Sequence, residues 1–498
     1  MAERHLEIEQ KYDAPAGFVL PELDGLAGVA SVGEPEVREL HATYFDTADL
    51  RLAANRITLR RRRGGPDAGW HLKMPAGRDG DGKHEFRAPL GRPLLVPARL
   101  AGLVAAHTRG AELRPVATLE TRRTVVRLLG TDGEALAEVA DDLVTGRGRE
   151  ADPERWREIE VELGTGTPEL LKAAGKRLRK AGAKRSKSAS KLARLLGDGV
   201  APSEAARQRA AARSRITEAT SNGKAPSITT GEVVLAYLAE QVESILRFDP
   251  GARLGEDDAV HRMRVAVRRT RSVLRSYRPV LDAERTAPLG PELRWVAQAL
   301  GEVRDLEVLR ARFADAPPFL QDDLERHERA AYRHLNAALR DARYFALLDG
   351  LDRLVADPPL AAVAGKKARK ELPALVTRAW DRMAGDYASI KTSADPDLAR
   401  HETRKAAKRA RYAAELAVPV LGAAAKRVVK DTKRIQEVLG AHQDAVIAME
   451  HLERAAARAR TTADAFAVGV LYGGERAEAE KARDLLATTW SRTLGPSF

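Results

Sequence analysis

The sequence contains no cysteine, and aromatic residues make up only 5% of it. The lack of cysteine excludes disulfide bonds, a thiolate nucleophile and a cysteine-ligated zinc site. The scarcity of aromatic residues weakens a base-stacking platform for nucleic acid but leaves binding through phosphate groups open. No apolar run approaches the roughly 18 residues of a membrane-spanning helix, and the first ten residues lack the apolar core of a signal peptide. We therefore expect a cytoplasmic protein with no membrane partner.

Acidic residues are outnumbered by basic ones. Lysine and arginine total 84 against 71 aspartate and glutamate, which gives a net charge of +13 and a pI near 9.8. This balance predicts a polyanionic partner, and nucleic acid, an acidic membrane and polyphosphate all fit it. The length of 498 residues favours two to four domains, because single cores stop growing at about 250–300 residues.

The residue pattern changes twice along the chain. Residues 5–163 contain short alternating segments separated by turn signals, as in antiparallel hairpins, and helical spacing follows at 168–196. Residues 197–230 are rich in alanine, serine, arginine and glycine, which is typical of a linker. From residue 232 onward, apolar residues recur at helical spacing in long blocks. The pattern predicts a two-domain α+β protein with domains at 1–197 and 228–498 and a linker at 198–227.

Several predicted strands carry charge along one whole face. The first strand alternates Glu7, Glu9 and Lys11 with apolar residues, and a late strand does the same with Glu158 and Glu160. A solvated face is the simpler interpretation of one such strand, but their number favours an antiparallel barrel with the charged faces turned inward. Paired carboxylates can hold hard divalent cations, and lysine or arginine can bind phosphate oxygens. Such a tunnel would suit phosphoryl transfer.

Five short motifs occur in a fixed order within residues 3–197. They are Glu7-x-Glu9-x-Lys11, Tyr44-Phe45-Asp46-Thr47, Leu59-Arg60-x-Arg62, Leu72-Lys73 and Glu158-x-Glu160. Their combination resembles the CYTH family of triphosphate tunnel metalloenzymes. The resemblance implies an eight-stranded closed antiparallel barrel with flanking helices, which cleaves triphosphate-containing substrates with Mg²⁺ or Mn²⁺.

The same resemblance implies two kinds of site residue. The implied metal ligands are the carboxylates Glu7, Glu9, Asp141, Glu158 and Glu160. Glu138 and Asp142 lie close enough to Asp141 to leave the register of that ligand open. The implied phosphate-binding and catalytic cations are Lys11, Arg60, Arg62, Lys73, Arg87, Arg123 and Lys191. No Ser-His-Asp arrangement can be argued from the spacing, and a metal-activated water would suffice for hydrolysis.

The second half of the chain contains an internal repeat. A basic segment begins at His261 and again at His401, each time with bases at positions +3, +7, +8 and +10. A Leu-Gly signature follows each copy and ends at Asp305 or Asp444, 44 and 43 residues after the respective histidine. On a helix, offsets 0, +3, +7 and +10 fall within roughly 80° of one another. Each copy therefore predicts a helix with one basic stripe, which has almost no acidic partners at helical spacing.

This repeat resembles the CHAD domain, the conserved-histidine α-helical domain, over residues 228–490. The resemblance implies an all-α pair of pseudo-symmetric helical bundles whose basic helices share a surface for inorganic polyphosphate. The implied polyphosphate-binding residues are His261, Arg264, Arg268, Arg269 and Arg271 in the first copy, and His401, Arg404, Lys405, Lys408, Arg409 and Arg411 in the second, with Lys430 and Lys433 on a later helix.

Together these patterns predict a metal-dependent triphosphatase that hydrolyses inorganic triphosphate or polyphosphate and is coupled to a polyphosphate-binding module. One alternative is a non-catalytic protein that binds polyphosphate or associates with polyphosphate granules. Another is thiamine triphosphatase or adenylate cyclase activity in the same tunnel, because a fold does not fix the reaction. A nucleic-acid binder ranks a distant third among these functions, and nucleic acid is not the expected partner. Acidic residues on both the first and the last strand favour catalysis, since a pure anion binder would need only the bases.

Overall fold

The structure is a computed structural model, and it describes residues 4–76, 82–148, 152–188, 190–197, 200–221 and 227–498, with only the backbone of 4–7 and 82. The chain divides into two compact units, Met1–Ser203 and Glu204–Phe498. Among the helices of these described ranges, none combines the length and the apolar character that crossing a bilayer requires.

The first unit is built on a curled antiparallel sheet. The ten strands formed by the described residues are β1 (Arg4–Ala14), β2 (Ser31–Val32), β3 (Glu36–Asp46), β4 (Thr58–Arg63), β5 (Gly69–Pro75), β6 (Gly82–Ala88), β7 (Arg114–Leu129), β8 (Ala135–Gly148), β9 (Glu154–Leu163) and β10 (Lys184–Arg185). Their order is β10-β1-β6-β5-β4-β3-β7-β8-β9, and β2 pairs with β7.

Strand β1 pairs with its neighbours in this order, β10 and β6, and also with β9 at the far end of the order. Residues 4–8 of β1 pair with β6, whereas residues 9–14 pair with β9. The predicted antiparallel sheet in an α+β, two-domain chain is confirmed. The closed eight-stranded barrel is not supported. Strand β1 divides its length between β6 and β9 and also pairs with β10 at residues 12 and 13, and the described strands form a curled ten-stranded sheet.

Among the described residues of the first unit, five helices accompany the sheet, and α4 packs against an apolar part of it. They are α1 (Arg51–Ala54), α2 (Ala98–Leu103), α3 (Ala105–Thr108), α4 (Pro168–Lys180) and α5 (Lys191–Leu196). Helix α4 contributes Leu171 and Leu178 to a core that includes Ile159 and Val161 of β9. Because successive residues of a strand face opposite sides, Glu158 and Glu160 turn away from this core.

A glycine lets α4 approach β1 closely. A Cβ added to Gly175 would lie 1.9 Å from the hydroxyl oxygen of Tyr12, a distance that no real contact allows. Tyr12 is fully buried, and its hydroxyl donates to Gln10 at 2.6 Å. The packing of α4 therefore fixes the position of β1, which carries Glu9 and Lys11 on its other face.

The second unit is helical, which confirms the predicted all-α second domain. Its helices are α6 (Glu204–Ser221), α7 (Thr230–Leu254), α8 (Ala259–Ser276), α9 (Ala283–Thr286), α10 (Leu289–Arg312), α11 (Pro318–Ala338), α12 (Ala342–Ala356), the 3-10 helix Ala362–Gly365, α13 (Ala368–Ser389), α14 (Pro396–Leu421), α15 (Ala423–Ala456) and α16 (Thr462–Ser491). Helix α6 lies within the segment predicted as a linker, and its buried Arg209 pairs with Asp352 of α12.

The two repeats meet at α8 and α14. These helices carry the basic segments, and α10 and α15 carry the Leu-Gly signatures. Tyr277, directly after α8, donates its hydroxyl hydrogen to the carbonyl oxygen of Ala413 in α14 at 2.8 Å. Tyr277 is fully buried, so this contact ties the C-terminal end of α8 to the middle of α14.

Candidate functional site

Three buried carboxylates converge on one side of the curled sheet. Asp142 lies on β8, and Glu158 and Glu160 lie on β9, with Asp142 opposite Glu158 in the strand register. Their ligand oxygen atoms lie within 4.8 Å of one another. Carboxylate oxygens are the ligands that hard divalent cations prefer. The donor set therefore fits a hard divalent cation.

The ammonium group of Lys191 lies among these three carboxylates. Its Nζ atom is 2.9 Å from Asp142, 2.6 Å from Glu158 and 2.8 Å from Glu160. Burial would lower the pKa of Lys191, but the three carboxylates raise it well above the ordinary value. Lys191 is the first residue of α5, and the Ser190 hydroxyl caps that helix. The three carboxylates therefore stabilise a cation at the position of the Lys191 ammonium group.

The acidic residue of β8 in this cluster is Asp142, not Asp141, which corrects the residue chosen from the motif. Asp141 accepts hydrogen bonds from Nε and Nη2 of Arg157 at 2.9 and 2.6 Å. Asp142 instead accepts two from Arg123 at 2.8 and 2.7 Å. Adjacent strand residues face opposite sides, so only one of the two can reach the cluster. Glu138, the third candidate, lies outside this cluster of three carboxylates.

Strand β1 brings Glu9 and Lys11 to the same place. Lys11 contacts Glu160 closely, and its Nζ atom lies 3.1 Å from Glu9. Lys83 of β6 lies 2.9 Å from the other oxygen of Glu9. Burial would raise the pKa of Glu9, but Lys11 and its neighbouring lysines lower it to about 2, so the carboxylate is ionised at neutral pH. The side chain of Glu7 is outside what the structure describes, and its role stays a prediction.

Arginine side chains form another wall. Arg60 donates to the hydroxyl oxygen of Tyr44 at 3.3 Å, and Arg62 contacts Asp67. Burial, together with Arg60 and Arg123, lowers the pKa of Arg62 to about 9. Like charges crowded in a buried site disfavour one another until an anion compensates them. The wall therefore favours a bound anion.

Lys73 and Arg87 surround a glutamate that the sequence analysis did not assign. Glu85 accepts a hydrogen bond from Nε of Arg87 at 2.5 Å, lies 2.9 Å from Nδ1 of His71, and lies 3.9 Å from Nζ of Lys73. Burial would raise the pKa of Glu85, but His71 and Lys73 bring it below its usual range. Burial lowers the pKa of His71 to about 4, so its ring is neutral. The alternation of Glu85 and Arg87 could have identified this carboxylate.

These side chains enclose a cavity of about 150 Å³. All of the predicted phosphate-binding cations line it, namely Lys11, Arg60, Arg62, Lys73, Arg87, Arg123 and Lys191. Glu9 and Glu160 line it as well, whereas Asp142 and Glu158 reach it through their contacts with Lys191. The cavity thus combines an acidic cluster that fits a divalent cation with cations that fit phosphate oxygens.

A second candidate site lies in the helical unit, where both basic stripes line one cavity of about 1350 Å³. The predicted residues that line it are Arg264, Arg268, Arg271, His401, Arg404, Lys405, Lys408 and Arg409. The repeated Leu-Gly signatures position the +3 arginines, since Arg264 lies 3.3 Å from Asp305 and Arg404 lies 3.5 Å from Asp444. A Cβ on Gly301 would come within 3.2 Å of the Arg264 guanidinium, so glycine leaves room for it.

The remaining predicted residues lie outside this cavity. Arg269 and Arg411 both bind Glu415, at 2.8 Å in each case. Lys433 lies 3.5 Å from Glu437 on an exposed face of α15. Two further residues do not line the cavity either, the exposed Lys430 and the partly buried His261.

Comparisons with known proteins agree with the division of the chain into two units. A model of the CYTH domain matches residues 5–196, and a model of the CHAD domain matches residues 236–453. The uncharacterized Mycobacterium tuberculosis protein Rv2226 is 37% identical over 521 residues, which cover 97% of this chain and 95% of that protein; MT2285 gives the same values.

Solved structures also resemble parts of the chain. The CHAD domain from the plant Ricinus communis is 24% identical, covers 55% of this chain and 95% of its own, and superposes with a TM-score of 0.46. The Hippeastrum protein HpAC1, described as having a dominant triphosphatase activity, is 19% identical, with 38% and 94% coverage and a TM-score of 0.26.

Proposed function

We propose that this protein is a divalent-metal-dependent triphosphatase with a polyphosphate-binding helical domain. The chain belongs to the family that joins a CYTH domain to a CHAD domain. Its substrates are inorganic triphosphate and the ends of inorganic polyphosphate. The observation that carries this proposal is the 150 Å³ cavity, in which the carboxylates around Lys191 adjoin a wall of arginines and lysines. Three converging carboxylates support a metal-dependent reaction, because binding of an anion alone requires only the cations.

The acidic cluster is where a metal would be held. Asp142, Glu158 and Glu160 supply the oxygen donors, and Glu9 is close by and ionised. A bound Mg²⁺ or Mn²⁺ supplies charge neutralisation at phosphate oxygens and a more acidic bound water.

The protein's own cations account for substrate binding. Arg60 and Arg62 project from the same face of β4, and Arg123 faces them from β7. Guanidinium groups bind phosphate oxygens in pairs of parallel hydrogen bonds. Phosphoryl transfer depends mainly on positioning and on compensation of the charge spread over these oxygens. Arg60, Arg62 and Arg123 provide the compensating charge, because all three line the cavity.

Hydrolysis should require a divalent cation. We expect the purified full-length chain to release phosphate from inorganic triphosphate with Mg²⁺ or Mn²⁺ and to lose this activity in excess chelator. The assay compares triphosphate, long-chain polyphosphate, ATP and thiamine triphosphate by phosphate release and product chromatography. Undiminished hydrolysis in chelator would refute the metalloenzyme; preferred ATP cyclisation or thiamine triphosphate hydrolysis would reassign the substrate.

Loss of a cavity arginine should affect substrate more than metal. We expect Arg60→Ala to lower kcat/KM for triphosphate by about 10- to 100-fold, the value of one hydrogen bond between charged groups. Mn²⁺ binding, measured by calorimetry, should stay within about threefold of the wild type, because Arg60 does not contact the acidic cluster. Arg61→Ala is the matched control, since Arg61 projects from the other face of β4 and donates to the Leu90 carbonyl oxygen. Equal losses in both variants would contradict the assignment.

A further inference from the structure

Lys408 is the only lysine among four cations that the two repeats bring together. Arg264 and Arg268 come from α8, and Arg404 and Lys408 come from α14, and all four line the 1350 Å³ cavity. In the alignment of the repeats, Lys408 takes the +7 position that Arg268 has in the first copy. The difference is chemical, because arginine keeps its charge at any physiological pH whereas a buried lysine can lose its proton.

The three arginines are poorly compensated. The Nε atoms of Arg264, Arg268 and Arg404 are buried and have no hydrogen-bond partner among the described residues. Arg268 donates to the hydroxyl oxygen of Tyr412 at 3.4 Å, which is a neutral partner. The protein therefore leaves part of the hydrogen-bonding capacity of these three guanidinium groups unsatisfied.

Two aspartates are the acidic groups nearest to this cluster, and each is already engaged. Asp444 of α15 lies 3.5 Å from Arg404, and Asp305 of α10 lies 3.3 Å from Arg264. Arg268 has no such carboxylate within salt-bridge distance in the described chain. Positive charge thus exceeds negative charge around Lys408.

Charged and titratable groups on the other helices packed around α14 have partners of their own. On α13, Asp386 lies 3.7 Å from Arg409, and on α7, Tyr237 donates to Glu415 at 3.3 Å. No described residue of α6 or α7 lines the cavity. Burial has the largest effect on the pKa of Lys408, and the three arginines have the next largest. Together they lower this pKa to about 6, and Asp444 opposes them only in part. At pH 7.5 the lysine is therefore mostly neutral.

We propose that Lys408 takes up a proton from solvent when polyphosphate enters the cavity between the repeats, so that binding is coupled to pH. This inference rests on the proposed polyphosphate binding. Phosphate oxygens offset the repulsion from the three arginines and restore the charged form of the lysine. Binding of polyphosphate raises the pKa of Lys408. The affinity that the charged lysine adds is therefore complete below pH 6, and it is lost as pH rises through the higher pKa of the complex. One coupled proton changes affinity by up to about tenfold per pH unit.

The test must also separate Lys408 from the histidines of the helical domain and from the terminal phosphates of the ligand. His261 and His401 begin the two stripes, and His334 lies 2.7 Å from Glu302 at the edge of the cavity. Terminal phosphates titrate near pH 6, as phosphate monoesters do. The same groups are present in wild type and in a Lys408→Arg variant given the same long-chain polyphosphate. The difference in proton uptake between the two proteins therefore reports on Lys408.

The experiment is calorimetric titration of the full-length chain with long-chain inorganic polyphosphate in chelator at pH 7.5. Titrations in two buffers of different protonation enthalpy give the number of protons taken up. We expect wild type to take up nearly one proton more than Lys408→Arg, and its affinity to depend more steeply on pH between 7 and 8. Lys370→Arg is the control, because Lys370 is exposed on α13 and outside the cavity. It should behave as wild type.

Lys408→Met provides a second variant in case arginine does not fit the site. It removes the proton acceptor with less bulk, and we expect it to bind more weakly without the additional proton uptake. Equal proton uptake in wild type and both variants, with binding intact, would overturn this inference alone. Failure of the wild type to bind polyphosphate would overturn the proposed function of the helical domain instead.

Discussion

Substitution of asparagine for Asp142 is expected to lower kcat/KM for inorganic triphosphate by at least about 100-fold, the upper range for residues that support a metal site. Asp142 is one of three carboxylates within 4.8 Å of one another, and it also binds Arg123 and Lys191. Asparagine keeps the shape of the side chain but removes its charge and one oxygen ligand. The measurement is phosphate release under steady-state conditions with saturating Mn²⁺.

Asp141→Asn is the matched control for this substitution. Asp141 is the neighbouring residue on β8, but its carboxylate binds Arg157 on the other face of the strand. We expect its activity to stay within about threefold of the wild type, as for sites without a shared partner. Thermal unfolding of both variants checks that each is folded. A larger loss in Asp141→Asn than in Asp142→Asn would contradict the arrangement of the acidic cluster.

Neutralising two arginines of the first stripe should remove most of the polyphosphate binding. We expect Arg264→Gln with Arg268→Gln to weaken binding of long-chain polyphosphate by at least about 100-fold, since each charge-assisted hydrogen bond contributes about 1.5 kcal/mol or more. Both side chains line the cavity and have buried, unpaired Nε donors. The measurement is calorimetric titration of the full-length chain in chelator at constant salt, because such affinities depend on ionic strength.

The control for the double arginine variant is Lys430→Gln with Lys433→Gln. It removes the same number of charges from an exposed face of α15 that does not line the cavity. We expect its affinity to fall by no more than about threefold, as for exposed charges. Equal losses in the two double variants would indicate a generally basic surface, and so would equal competition by duplex DNA.

Alternation in the sequence predicted that the strands of the first candidate site carry charge on one face, and the resemblance to the CYTH family implied the individual phosphate-binding cations. Glu9, Glu158 and Glu160 and all of the predicted cations meet around one cavity. The choice between Asp141 and Asp142 could not be made, since a shift of one residue reverses the face and the motif contains two adjacent acids. The pairing of β1 with β9 could not be predicted either, because it joins segments that are distant in the sequence.

Helix geometry predicted the basic stripes of the second site, and pairing with Glu415 explains two of its errors. Arg269, at offset +8, binds Glu415 outside the cavity, whereas Arg409 at the same offset of the second copy lines the cavity. Arg411 has the right offset, but Glu415 follows four residues later and binds it. The first copy has Arg275 at that position, so Arg271 stays in the cavity. The lowered pKa of Lys408 could not be read from sequence, since it arises where two repeats meet.

The most direct test of the central claim is Mn²⁺ binding to the acidic cluster, followed by electron paramagnetic resonance of free Mn²⁺. The wild-type chain is predicted to remove Mn²⁺ from solution in a saturable manner, and Asp141→Asn is predicted to do the same. Asp142→Asn should bind at least about tenfold more weakly, in line with the cost of disturbing a metal site. Indistinguishable Mn²⁺ binding by all three proteins would contradict a metal site formed by Asp142, Glu158 and Glu160.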